Sequence, residues 1–226
     1  EEANPDIDIV LIAADGPAQQ ANDLEDLISI HQIDALVVLP FESEPLTDPV
    51  RMVKESGVFV TVVDRGLSQE GIEDVYVAGN NTALGTVSGE YFLSRLGEGD
   101  NIVILRDDGF EVMQDFLSRF PDIDGVWAQD DDIALGVIEA VRQAGREDEL
   151  FIVGGAGMKE IIQMVMEGSD LVPVDVLYPP AMIATAMDVT VSHFTSNGPV
   201  SGEYILGAPL ITPENAENYY FPDSTF

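Results

Sequence analysis

Asp64-Arg65, Gln129-Asp130-Asp131, Gly154-Gly155-Ala156-Gly157 and Tyr178 are the residues whose types and spacing could do chemistry. Each follows a short apolar run rich in Val and Ile, as does Arg106. A carboxylate beside a guanidinium suits a polyhydroxylated ligand, because planar charged acceptors and forked donors can each take two hydroxyls. Taken alone, Asp64-Arg65 also reads as a surface ion pair with Asp64 turning the chain before Gly66. Tyr178 offers a ring face and a hydroxyl, yet Leu177-Tyr178-Pro179-Pro180 reads equally as a rigid hinge. Asp130-Asp131-Asp132 carries the oxygens a hard cation takes but lacks metal-ligand spacing, and it also suits a helix start, where negative charge is favoured. Asp130 is therefore expected to touch ligand, with Asp131 and Asp132 capping the helix or facing solvent. No metal or cofactor is expected.

These residues need a scaffold that brings strand ends together. The apolar runs at 7–13, 35–39, 58–63, 102–105, 125–128, 151–153 and 174–177 mostly alternate with stretches of helical periodicity. This βαβ pattern predicts a parallel sheet, and in open α/β sheets ligands bind outside the carboxyl ends of the strands. Helices are predicted from Asn22 to about Gln32, from Asp48-Pro49 to Gly57, from about Thr82 to Gly97, and over 107–120, 131–144, 158–167 and 180–195. Asn80 and Asn81 are expected to cap and hinge. Trp127 and Phe151 are expected in the core.

At 226 residues and 46% apolar, the chain is long enough for one large or two small domains with a sizeable core. No run reaches the ~18 apolar residues of a membrane span. Residues 1–5 lack the basic start and apolar core of a signal peptide, so any export signal is expected to have been removed. Without cysteine, disulfides, thiolate metal sites and Cys nucleophiles are excluded. There is no dinucleotide fingerprint, phosphate loop or GxSxG elbow, and His31 and His193 have no triad partners in sequence, so no enzyme is expected.

The net charge is −33, from 42 acidic residues against nine basic ones, whose only lysines are Lys54 and Lys159. Nucleic acid and anionic membrane both require a basic surface and are poor partners for this chain. Acidic residues are spread along the chain, so self-repulsion acts on the whole fold. This balance reads as that of a protein exposed to brine, where the Debye length at molar salt is ~3 Å, against the alternative of a generally acidic mesophilic protein.

The segment 34–65 (DALVVLPFESEPLTDPVRMVKESGVFVTVVDR), then GNNTALG at 79–85, WAQDDDIALGVIEAVRQAG at 127–145 and FIVGGAGMK at 151–159, resembles the periplasmic sugar-binding proteins of the ribose-binding type. LYPPAMIATA at 177–186 and the tail ITPENAENYYFPDSTF are similar to a subgroup serving sugar and sugar-alcohol ABC importers. The resemblance implies a type I periplasmic binding protein: an α/β chain of two Rossmann-like lobes with parallel sheets. The expected lobes are 1–79 with 179–207, and 80–178 with 208–226. A small sugar or polyol would be captured between them outside the cytoplasm and delivered by a monomer to ABC importer membrane subunits. Asp64, Arg65, Asp130 and Tyr178 match the family's ligand positions, and the hinge falls at Gly79, Asn80, Pro179 and Gly207. Ala156 stands where the family has a ligand-contacting Asp, which removes one hydroxyl acceptor. The family also carries a first strand before the position of Glu1 and a further segment after a strand such as 101–106, and a break is expected between Arg106 and Asp107. The alternatives are the effector domain of a lac-repressor-like regulator, which shares the fold, and a sugar-modifying enzyme.

The charge yields a first prediction. The thermal midpoint should rise markedly between dilute buffer and molar NaCl as like-charge repulsion is screened, and an unchanged midpoint would contradict the reading of a brine-adapted chain.

Overall fold

The computed structural model describes residues 5–196 and 199–224. Along the chain run α1 (Pro17–Ser29), β1 (Ala35–Val38), α2 (Ser43–Glu55), β2 (Phe59–Val63), β3 (Val75–Gly79), α3 (Asn81–Arg95), β4 (Ile102–Leu105) and α4 (Gly109–Arg119). There follow β5 (Gly125–Ala128), α5 (Asp131–Ala144), β6 (Phe151–Val153), α6 (Lys159–Met166), β7 (Asp175–Val176), α7 (Met182–Thr195), β8 (Gly202–Leu206) and β9 (Leu210–Ile211). Contacts divide the chain into Glu1–Ala78 with Ala181–Ile205, the first unit, and Gly79–Pro180 with Leu206–Phe226, the second.

In the first unit a sheet runs β1-β2-β3-β8. Strands β1 and β2 are parallel with Ala35 opposite Phe59, and β2 and β3 are parallel with Thr61 opposite Val75. Every residue of β2 is buried, which is why it reads as a continuous apolar run, the mark of a parallel strand covered on both faces. Leu24 and Leu27 of α1, Leu46, Val50 and Val53 of α2, and Val60 and Val62 of β2 make the core. The Thr61 and Thr190 hydroxyls satisfy each other inside it at 2.7 Å.

The second unit repeats the scheme with β4-β5-β6, all parallel, Ile102 opposite Gly125 and Gly125 opposite Phe151. A bridge from Val153 to Val174 carries it toward β7, which pairs antiparallel with β9. One core holds Met113, Ile138, Ile152 and Ile161, and another holds Leu84, Phe92, Phe151 and Val153, with Trp127 packed against the latter. Helix α5 shows why sequence and structure agree here. Asp130 caps its start, Ala134, Val137, Ile138 and Val141 form its buried stripe, and Gly145 ends it at φ 66°, where glycine has no Cβ penalty.

Several elements differ from expectation. Residues 7–13 join none of the sheets, and Leu11 is 92% exposed. An apolar run counts as a strand only where its backbone joins a ladder of hydrogen bonds, and this one is part of no ladder. Strand β3 and the mostly exposed β8 were not expected. Helix α1 begins at Pro17, its missing N–H harmless in the first turn, and α2 begins at Ser43 and tolerates Pro49 inside it. Asn80, not Asn81, caps α3, its side chain accepting from the Ala83 N–H at 2.8 Å. At the expected break lie Arg106, Asp107 and Asp108, between β4 and α4, and Asp108 bears φ 23°, strained for a residue with a side chain.

Helices α4 and α5 approach closely enough to require glycine. A Cβ on Gly109 would run into the Ile133 carbonyl, and one on Gly136 would stand 2.7 Å from the Phe110 nitrogen. Gly109→Ala should therefore lower the unfolding free energy by about 1–3 kcal/mol. Gly89→Ala, in α3 with open space around it, should raise it by about 0.5–1 kcal/mol. Urea unfolding in molar salt checks both, and equal effects would contradict the close approach.

Candidate functional site

In the first unit the carboxyl ends of β1 and β2 are laced together by polar side chains. Asp64 takes φ 60° directly after β2, a left-handed conformation that Asp tolerates better than most residues. Its N–H donates to the Val77 carbonyl (2.8 Å), and its own carbonyl accepts from the Tyr76 hydroxyl (2.6 Å). Burial, then the Asp64 carboxylate, pushes the Tyr76 phenol up from its ordinary pKa, so it stays a donor. Arg65 is exposed, and its guanidinium donates to the Pro40 and Phe41 carbonyls beyond β1. Arg65 thus grips backbone through its guanidinium. Gln20, which the sequence did not single out, clamps the same turn by donating to the Leu39 carbonyl (2.9 Å) and accepting from the Phe41 N–H (2.7 Å). Asp64 is half-buried.

In the second unit the strand ends are organised by a residue expected to cap a helix or face solvent. Asp130 is exposed and is itself the helix cap, accepting from the Asp132 N–H at 3.0 Å. Asp131 is fully buried. Its Oδ1 accepts from the Gly155 N–H (2.9 Å) and its Oδ2 from those of Gly157 (2.8 Å) and Met158 (2.7 Å). Burial pushes its carboxyl up to about 6, although the three N–H donors pull the other way. Asp175 in β7 is also fully buried, and burial followed by the Asp131 charge raises its carboxyl well above the ordinary range. Both carboxyls were legible in principle. Gly154 to Gly157 present N–H groups that need an acceptor, and an acid inside the apolar run at 172–177 needs a partner.

Tyr178 belongs to this constellation. Its N–H donates to the Ala156 carbonyl (3.2 Å), and its hydroxyl accepts from Asn81 Nδ2 (3.3 Å). Its ring lies so close over Gly79 that an added Cβ would come within 2.6 Å of Cζ. Of the other expected hinge residues, the Asn80 N–H bonds the Leu206 carbonyl (2.9 Å), Pro179 follows Tyr178 ahead of α7, and Gly207 follows β8 with open space around it. Among the described residues no group of three or more His, Cys, Asp or Glu could hold a metal ion, and both Asp131 oxygens are engaged by backbone.

Parallel strands alternating with helices, with acceptors, a guanidinium and an aromatic hydroxyl at their carboxyl ends, define an open α/β protein with polar strand ends. The chain belongs to the periplasmic binding protein domain family, which it matches over residues 1–109 and 106–194. The two matches meet at the β4–α4 connection. The chain is 25% identical over 194 residues to the ribose import binding protein of Bacillus subtilis, covering 70% of this chain and 62% of that protein. The chain thus spans less than two thirds of that relative. It is 23% identical over 248 residues to the D-apiose import binding protein of Paraburkholderia graminis, covering 92% of this chain and 78% of the relative. That alignment is longer than this chain, so the relative has residues without a counterpart here. In fold it is similar to an ABC transporter periplasmic solute-binding protein of Actinobacillus succinogenes 130z with bound D-allose, at TM-score 0.84 and 19% identity, covering 96% of this chain and 90% of that one.

The Gly79–Tyr178 packing yields a double-mutant test. Gly79→Ala alone should destabilise the chain by about 1–3 kcal/mol through overpacking, and adding Tyr178→Ala should recover most of that loss. Strictly additive melting data would contradict the contact.

Proposed function

We propose that the chain is the ligand-binding part of an extracytoplasmic solute-binding protein that captures a small sugar or sugar alcohol and hands it to an ABC importer. The observation that carries this reading is the placement of Asp64, Arg65, Asp130 and Tyr178 at the carboxyl ends of strands in a member of the periplasmic binding protein family. Asp64 and Asp130 are the hydroxyl acceptors, Arg65 is the forked donor, and the Tyr178 ring packs on the sugar's C–H face. Gly79, Asn80, Pro179 and Gly207 are the crossing residues that flex. The names of relatives such as the ribose and D-apiose import binding proteins support a sugar-sized ligand. Ala156 offers no side-chain acceptor, so the hydroxyl pattern recognised differs from that of relatives with Asp at this position.

The protein acts as a monomeric binder without turnover, and the charge of −33 argues against a DNA-linked regulator. Calorimetric titration of the intact chain in molar NaCl with ribose, D-allose, D-apiose, xylitol and myo-inositol identifies the ligand. With that ligand, Asp64→Ala and Arg65→Ala should each weaken binding at least about tenfold, equivalent to ~1.4 kcal/mol, as expected for a lost charged hydrogen bond. Asp48→Ala, which removes the largely exposed partner of Arg51, should leave affinity unchanged. Unaltered affinity in the first two variants contradicts the site assignment.

A further inference from the structure

Asp131 and Asp175 are both fully buried, and both aim at the same glycine. A Cβ on Gly154 would collide with Asp131 Oδ1 and stand 2.9 Å from Asp175 Oδ1. Their hydrogen-bond supplies are unequal. Asp131 receives three backbone N–H groups across its two oxygens. Asp175 Oδ1 accepts the N–H of Val176 (2.8 Å), and among the described residues its Oδ2 has no hydrogen-bond partner. Two buried carboxylates side by side cannot both stay ionised. The one with three donors keeps the charge. The other lacks donors and becomes one, since a carboxylic acid has an O–H to give.

We propose that Asp131 and Asp175 share one proton, and that Asp175, donating it as a hydrogen bond to Asp131, is the positioning residue of loop 154–158. The loop is then held from both sides: by the start of α5 through Asp131, and by β7 through Asp175. Tyr178, three residues after Asp175, closes the circuit through the Ala156 carbonyl. The consequence for ligand rests on the sugar-binding reading above. The proton itself does not.

The surroundings give the pair little positive charge. On α5, Asp130 adds negative charge that opposes ionisation of Asp131, and Asp132 follows in the first turn. On α6, Lys159 commits its Nζ to the Ser224 carbonyl (2.6 Å), and Glu160 is exposed. Strand β9 presents Ile211 opposite Asp175, and α3 presents Leu84 to Gly155. Both carboxyls titrate above the ordinary value of 3.8, Asp131 at about 6 and Asp175 higher than usual. The folded chain therefore holds protons that the unfolded chain has released. The pair's contribution to stability is whole below the unfolded value and is lost as pH rises through the folded ones.

The test compares the intact wild-type chain with Asp175→Asn and Asp131→Asn in molar NaCl, by thermal unfolding from about pH 4.5 to pH 8.5. An Asn at 175 keeps a donor and cannot ionise. Asp175→Asn should match the wild type at the acid end and melt progressively higher than it toward the alkaline end. Asp131→Asn should melt lower throughout. Carbon-13 NMR of the wild-type carboxyls should find Asp175 protonated well above its ordinary range. An Asp175 resonance titrating near the usual carboxyl pKa, or an Asp175→Asn penalty equal at every pH, overturns the proposal. With ligand, wild-type affinity should fall several-fold toward alkaline pH while that of Asp175→Asn stays level, and parallel pH profiles overturn the positioning role. If no sugar binds but the melting and NMR results hold, the functional reading fails and the shared proton stands.

Discussion

A buried carboxylate that accepts three backbone N–H groups governs the carboxyl-terminal edge of the second unit's parallel sheet. Asp131 reaches from the first turn of α5 to Gly155, Gly157 and Met158, fixing the path of the chain between β6 and α6. The loop can follow that path because Gly154 has no Cβ to strike the carboxylates and Gly157 adopts φ 99°. Its carbonyl at Ala156 then sets the height of Tyr178, and Tyr178 in turn requires glycine at 79. Losing the carboxylate would strand three donors in a dry loop, at about 1–3 kcal/mol for each left unsatisfied.

The first unit solves the same problem with the opposite charge. There the turn after β1 exposes carbonyls, and Arg65 and Gln20 supply the donors. A cation gripping carbonyls on one unit and an anion gripping N–H groups on the other leave different chemistry at the surface. The first offers a guanidinium edge and the half-buried Asp64; the second offers the exposed Asp130 and a tyrosine hydroxyl.

Much of this was legible in the sequence where burial imposed a pattern. The runs that became β1, β2, β4, β5 and β6 are Val- and Ile-rich because parallel strands are covered on both faces. The periodic stripe of α5 between Asp130 and Gly145 also gave that helix its bounds. Residues 7–13 carry the same signal but join no sheet, since strand formation needs a neighbour that composition cannot supply. Strand β8 went unnoticed because its exposed Gly-Glu-Tyr-Ile-Leu run lacks a buried alternation. At the site, proximity to strand ends singled out Asp64, Arg65, Asp130 and Tyr178, but not which of two adjacent aspartates turns inward. That choice depends on where loop 154–158 presents its N–H groups, a tertiary fact. Asp175 stood out only as an acid inside an apolar run, and which group it meets is a tertiary fact of the same kind.

The most direct measurement of the central claim is the shift in thermal midpoint of the intact chain in molar NaCl across pentoses, hexoses and polyols. A ligand that occupies the strand-end residues at 100 times its dissociation constant adds ~2.7 kcal/mol to stability. At least one sugar or polyol should therefore raise the midpoint by several degrees while charged solutes of similar size do not. A midpoint that no sugar or polyol moves, at any concentration up to saturation of the solution, would contradict the account.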